Sequence, residues 1–272
     1  MRYDSAAIAA AELHFREGIW RAAPGDAIDE LEIRKRWFGP VLATACAGLP
    51  EAILMNIVQG AAEPGVIEQG QLAAAIEWMR SREVRYLVEV ASDRPGSTEA
   101  EAWLAARGYE QGLTMRRFVR PISEQIPAAE PSVEIRELSA TETEGMSLIF
   151  AEAVGLSDLA TVPLLGLPEQ QGWHCYAAFL DGCEVACGSM LLDHGIAVFG
   201  LDATSLDSRN HGCQSALIQR RLADAAAAGA RTAVGGACNV PEDRAIAAEN
   251  LERAGFVEVG RSVGWRRPLI SG

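Results

Sequence analysis

Apolar residues recur along this chain in two rhythms, and the rhythms alternate. Ile8, Leu13 and Trp20 stand among alanines at helical spacing, which predicts a helix over 5–21. A second helical stretch is expected over 28–47, stopped by Gly48-Leu49-Pro50. The apolar run 52–58 (AILMNIV) has the length of a strand and closes at Gly60. Leu72, Ile76 and Met79 share one face of a predicted helix over 69–81, and 84–90 (VRYLVEV) alternates as a strand does. A short helix over 99–107 ends at Gly108, a residue suited to the left-handed conformation after a helix, and a strand over 113–119 follows.

The stretch 121–132 (PISEQIPAAEPS) carries three prolines in twelve positions and reads as a linker. It divides the chain into expected domains 1–120 and 133–272. Beyond it the rhythm resumes with a strand over 133–138 and a helix over 141–154. A loop-rich stretch with Pro163, Gly166 and Pro168 covers 155–172. Strands are expected over 175–180 and 184–192, joined by the hairpin signal Asp181-Gly182, and over 195–204. An alanine-rich helix over 212–229, a strand over 231–234, a helix over 243–254 stopped by Gly255 and a closing strand over 256–266 complete the pattern. The fold class is therefore α/β (α+β), two domains each with a mixed, mostly antiparallel sheet flanked by helices.

The two halves echo each other. AWLAARGYEQG at 102–112 matches ENLERAGFVEV at 249–259 when Gly108 is set on Gly255, which also pairs Leu104 with Leu251 and Tyr109 with Phe256. At nearly the same offset, the helix–strand unit 71–90 faces 214–236.

Composition narrows the function classes. A net charge of −13 repels phosphate backbones and argues against a nucleic-acid partner, while it suits a cationic or amine-bearing substrate. The six cysteines, Cys46, Cys175, Cys183, Cys187, Cys213 and Cys238, form no C-x-x-C pair. They fit no standard zinc spacing, so no metal is expected. Without a signal-like start or a run of about 20 apolar residues, the expected setting is cytoplasmic and free of the membrane. A homodimer is an open arrangement.

The chemistry-bearing segment is 202–217, DATSLDSRNHGCQSAL. A strand ends near Thr204, a short turn follows, and a helix starts after Gly212. Unpaired amides at a helix N-terminus, with the positive end of the dipole, form an anion site that a residue without a side chain lets a diphosphate approach. This segment resembles the pyrophosphate-arm motif [QR]-x-x-G-x-[GA] of the GNAT superfamily of acyl-CoA N-acyltransferases. Arg209 and Gly212 match it, and Gln214 departs from it. The later Asn250-Leu251-Glu252-Arg253-Ala254-Gly255-Phe256 resembles the superfamily's late signature and matches the form one branch has there.

The resemblance implies acetyl-CoA as co-substrate and a primary amine as acceptor. It implies that backbone groups of Asp202, Ala203 and Thr204 pair with the pantetheine amides. The backbone amides from Asn210 through His211, Gly212, Cys213 and Gln214 to Ser215 would hold the pyrophosphate, with Asn250 touching the coenzyme from the next helix. Asp202 is a candidate general base, with Asp193 and His194 as further candidates. Leu251 stands where many members carry a proton-donating Tyr, and Tyr176 is a distant candidate for that role. The first half has no such loop. At the corresponding place it reads Glu63-Pro64-Gly65-Val66-Ile67-Glu68-Gln69-Gly70-Gln71, and is expected to be a GNAT-like half that has lost the coenzyme. A non-catalytic acyl-CoA-binding or scaffolding role is the alternative to acetyl transfer.

Overall fold

The computed structural model describes residues 3–122, 133–239 and 245–268. Of the expected linker, only residues 121 and 122 lie among them, and Pro121 ends a strand. The rest of the linker lies outside the described residues.

In chain order the elements are α1 (Ser5–Arg21), α2 (Gly25–Glu30), β1 (Ile33–Phe38), β2 (Val41–Cys46), β3 (Ile57–Gln59), α3 (Gln71–Arg80), β4 (Leu87–Ala91), α4 (Ser97–Ala105) and β5 (Glu110–Pro121). They continue with β6 (Glu134–Leu138), α5 (Glu144–Val154), α6 (Asp158–Thr161), β7 (Trp173–Leu180), β8 (Cys183–Asp193), β9 (Ile196–Thr204), α7 (Cys213–Ala227), β10 (Thr232–Asn239), α8 (Ala245–Arg253) and β11 (Val257–Arg266).

Three expectations fail for physical reasons. The stretch 28–47 is not a helix: α2 stops at Glu30 and the β1–β2 hairpin turns at Gly39-Pro40, with Gly39 at φ +60°. Val41–Cys46 is buried on both faces, so it has no polar side to reveal a strand period. The strand expected over 52–58 shrinks to Ile57–Gln59. Buried Asn56 accepts the Cys46 amide at 2.7 Å and donates to the Leu49 and Ala52 carbonyls at 3.1 Å, tying the preceding residues into turns. The stretch 155–172 holds α6 and a 3-10 helix, Val162–Glu169, rather than plain loop.

The chain forms two compact units that interleave in sequence instead of dividing at the linker. The C-unit draws on Met1–Ala27, Phe118–Ala237 and Arg244–Glu258. The N-unit draws on Ile28–Arg117, Cys238–Asp243 and Val259–Gly272. In the C-unit, β6, β7, β8 and β9 are antiparallel neighbours, β10 runs parallel to β9, and the end of β5 follows β10. Helices α7 and α8 bury Leu217, Leu222, Leu251 and neighbours against one face of this sheet, with Tyr176, Phe199 and Phe256. Helices α1 and α5 pack on β8 and β9, and Phe15 of α1 stacks 4.6 Å from Trp173.

In the N-unit, β1, β2 and β3 are antiparallel, β4 runs parallel to β3, and β11 pairs antiparallel with β4. Leu72, Ile76 and Met79 of α3 and Leu104 of α4 fill its core. Both chain ends therefore serve the unit built mainly from the other half. Helix α1 was expected within the first domain, yet it packs in the C-unit. The closing strand β11 was expected within the second, yet it pairs with β4, Ser262 opposite Ala91 and Trp265 opposite Val88.

The internal repeat is present in the backbone. Gly108 and Gly255 both take left-handed conformations, at φ +75° and +82°. The following aromatics close the same cap: the Tyr109 amide donates to Leu104 at 3.1 Å, and the Phe256 amide to Leu251 at 3.0 Å. Each aromatic is buried in the core of its unit.

Candidate functional site

The site is built where β9 leaves its parallel partner. The β9–β10 ladder covers Ile196–Val198 against Thr232–Val234, while the strands run on to Thr204 and Asn239. Beyond Val198 the edge of β9 that faces β10 has no ladder partner among the described residues, whereas its other edge stays paired to β8 as far as Thr204. The parallel pair thus opens like a V, and the opening exposes backbone hydrogen-bonding groups of both strands.

Within the opening, β9 bulges. Register shifts between Cys187 and Ser189, so Gly188 faces two residues, Leu201 and Asp202, and Leu201 takes φ +54°. The Gly200 carbonyl accepts the Ser189 hydroxyl at 3.0 Å and the Leu201 carbonyl accepts the Cys187 thiol at 3.6 Å, both from β8. A trans peptide points its N–H opposite to its C=O. The amides of Leu201 and Asp202 therefore point away from the Ser189 hydroxyl and the Cys187 thiol.

An ion pair between a buried guanidinium and a half-buried carboxylate backs the bulge. The Arg221 guanidinium, with no solvent exposure, donates to both carboxylate oxygens of Asp202 through Nη1 and Nη2, to the Ser189 carbonyl at 2.9 Å and to the Leu217 carbonyl at 3.1 Å. It lies over the Phe199 ring at 4.6 Å. The Asp202 carboxylate is thus turned to α7 and committed to Arg221. This corrects the expectation of Asp202 as a free general base.

Past Thr204 the chain turns through Leu206–Ser208 and reaches Arg209, in extended backbone, then Asn210 at φ +66° and Gly212 at φ +78°. Gly212 caps α7 in the left-handed conformation, with open space where a Cβ would sit. The first hydrogen bond of the helix is Ala216 to Gly212 at 3.0 Å, so the amides of Cys213, Gln214 and Ser215 have no acceptor within the helix. Asn250 of α8 steadies this turn: it donates to Gln214 Oε1 at 2.5 Å and accepts from the Ser215 hydroxyl at 3.4 Å. Gln214, the residue that departs from the motif, is the one Asn250 holds. Cys213 is buried in the core, and burial raises its thiol pKa.

The structure thus gathers Asp202, Ala203, Thr204 and 209–215 at one end of β9, with Asn250 beside them. It does not bring Asp193 and His194 there. Asp193 ends β8 at the turn before β9, paired with His14 at 2.9 Å and His194 at 2.7 Å. The eight residue steps from Ile196 to Thr204 separate that turn from the opening by roughly 25 Å of strand. Tyr176 is also elsewhere: its hydroxyl, buried beneath α7, donates to Asp224 at 2.9 Å, and burial together with that carboxylate pushes its pKa well above the usual range. Leu251 packs on Gly235 of β10, the first residue past the ladder, where a Cβ would meet its side chain at 3.1 Å. Sequence reasoning missed Arg221 and Gly188. A lone Arg on the buried face of a predicted helix was the available signal for the first.

The V-shaped parallel pair beside an open helix start is accompanied by close structural likenesses. A GCN5-related N-acetyltransferase from Kribbella flavida superposes with a TM-score of 0.66 at 18% identity, over 98% of this chain and 97% of that one. The fold is the one seen in that acetyltransferase. A second GCN5-related N-acetyltransferase, from Sphaerobacter thermophilus, gives 0.63 at 17% identity over 84% and 81% of the two chains. A tandem GNAT protein from the clavulanic acid biosynthesis pathway gives 0.56 at 16% identity over 83% and 77%. No family model and no curated protein matches the sequence. Among the described residues, no group of three or more His, Cys, Asp and Glu is placed to hold a metal ion, and no helix is long and apolar enough to cross a membrane.

Proposed function

We propose that the C-unit is an acyl-CoA-dependent N-acyltransferase that passes an acetyl group from acetyl-CoA to a primary amine of a small acceptor. The observation that carries this reading is the open β9–β10 pair leading directly to the uncapped start of α7. A diphosphate suits the amides of 210–215, with Gly212 leaving the approach clear. The pantetheine arm would run along the free edge of β9 at Asp202, Ala203 and Thr204, completing the sheet as an added strand does. Asn250 supports the turn, and Arg209 would add positive charge near the diphosphate.

In this arrangement the acyl carbonyl lies at the bulge. The amine nitrogen attacks the thioester carbon, a C–N bond forms, and negative charge collects on the carbonyl oxygen, where the Leu201 and Asp202 amides receive it. The C–S bond then breaks. The coenzyme leaves as a thiolate that takes up a proton, and the new amide sheds the extra proton of the attacking amine. Holding both reactants at one opening supplies much of the rate. The acidic balance of the chain favours a cationic acceptor.

Release of free thiol from acetyl-CoA across a panel of primary amines tests the proposal, with calorimetric titration of CoA alongside. Thiol release with at least one amine is expected. A second reading is favoured by Leu251 on Gly235, which places no hydroxyl beside the opening: acyl-CoA binding without transfer. Binding of CoA with no amine ever acylated would select it.

A further inference from the structure

We infer that Arg221 is a positioning residue for acyl transfer: through Asp202 it holds the β9 bulge so that the Leu201 and Asp202 amides meet the acyl oxygen. The inference rests on the reading just given and adds a residue on α7 that no motif marks.

A fully buried guanidinium needs a reason. Replacing a buried ion pair by well-packed apolar residues is often neutral or stabilising, so stability alone does not account for it. The molecule contains its own control. Counting from the left-handed glycine that caps each arm helix, Arg221 stands nine residues after Gly212, since 221 − 212 = 9, and Met79 stands nine after Gly70, since 79 − 70 = 9. Met79 is fully buried in the N-unit core. Counting from the first residue past each parallel ladder, Asp202 is three after Phe199 and Ala62 is three after Gln59, and Ala62 is buried. The same architecture thus accepts a Met and an Ala at these two places. The charged pair belongs to the arm that stays open.

The geometry says what the pair does. Arg221 binds three things at once: the carbonyl of its own helix at Leu217, the β8 carbonyl of Ser189 and the bulge carboxylate of Asp202. It therefore fixes the bulge relative to the helix whose first turn faces the diphosphate. Gly188, opposite the bulge, leaves no spare room: a Cβ there would lie 2.9 Å from Asp202 Oδ1 and 3.0 Å from Arg221 Cζ. Five guanidinium donors in a planar fork define an orientation that a flexible apolar side chain does not.

The test uses the full-length protein and [1-13C]acetyl-CoA. In the wild type, the bound carbonyl resonance is expected to move downfield as two amides polarise it. The double variant Asp202→Ala/Arg221→Met reproduces the N-unit's residues and is expected to melt cooperatively, and its spectrum is taken at saturating acetyl-CoA. It should lose the downfield displacement, and turnover with any amine the wild type acylates should fall about a hundredfold, the cost of losing aligned oxyanion donors. Gly188→Ala, which crowds the pair without discharging it, should weaken the displacement in the same direction. An undisplaced carbonyl in the wild type, or unchanged displacement and turnover in the double variant, overturns the inference. Loss of the cooperative melt in both variants also overturns it, because the pair would then serve the fold alone. Failure of the wild type to bind CoA is a different result: it defeats the acyl-CoA reading itself.

Discussion

The C-unit and the N-unit carry the same arm, a strand, a helix capped by a left-handed glycine and a parallel strand, and they finish it differently. In the C-unit the ladder ends at Val198 and Val234, and the next residues are Phe199 and Gly235, which leave the pair apart. In the N-unit the ladder ends at Val58 and Val88, and the next residues are Gln59 and Glu89, whose side chains hydrogen-bond at 3.3 Å across the gap. The turn that follows also differs. In the N-unit, Glu63 is held by Arg94 at 2.6 Å and the Ala62 carbonyl accepts the Gly96 amide at 3.1 Å, which ties the turn to the start of α4. Shared backbone geometry therefore does not make two equal sites. What separates them is a handful of side chains at the fork and at the helix start.

The comparison can be broken most sharply at Arg221. Arg221→Met alone leaves the half-buried Asp202 carboxylate without its partner and should cost about 2–3 kcal/mol in urea unfolding, while adding Asp202→Ala should restore most of the loss. Equal stability of the single and double variants would show that the two groups are not coupled. Next come the paired glycines. Gly212→Val and Gly70→Val each force a branched residue into the left-handed region and should each cost about 1–2 kcal/mol. Only Gly212→Val should also weaken CoA binding, by tenfold or more in calorimetry, and an equal loss from Gly70→Val would place the coenzyme in the wrong arm.

A smaller effect is expected at the closed fork. Gln59→Leu removes its hydrogen bond to Glu89 and should lower stability by about 1 kcal/mol without touching CoA affinity. The smallest is Asn250→Ala, which frees Gln214 and Ser215 at the start of α7. About 0.5–1.5 kcal/mol of stability should be lost, with a several-fold weaker grip on CoA. Unchanged CoA affinity there would remove Asn250 from the site.

Much of this was legible in the residues because it lives in local backbone chemistry. The Gly212 turn, the helix behind it and the Gly255-Phe256 cap each depend on a residue's conformational freedom or on apolar period, and both are visible in a single sequence. The β1–β2 hairpin was not, because a strand buried on both faces reads like the core of a helix. Nor was the partner of a carboxylate: Asp202 looks like a free base until Arg221, nineteen residues on, is brought under it. Tyr176 likewise offers a hydroxyl on paper and an anchored one in the fold. The repeat revealed two similar sets of elements, but sheet membership is a long-range property, and the positions of α1 and β11 escaped it.

Those two terminal segments set an order for biosynthesis. Helix α1 leaves the ribosome well before its sheet: Trp173 and Gly200, against which Phe15 packs, follow more than 150 residues later. Strand β4 waits about as long, since its neighbour β11 follows more than 165 residues later. A nascent chain interrupted between 120 and 133 therefore holds one helix without its sheet and one sheet without its edge strand.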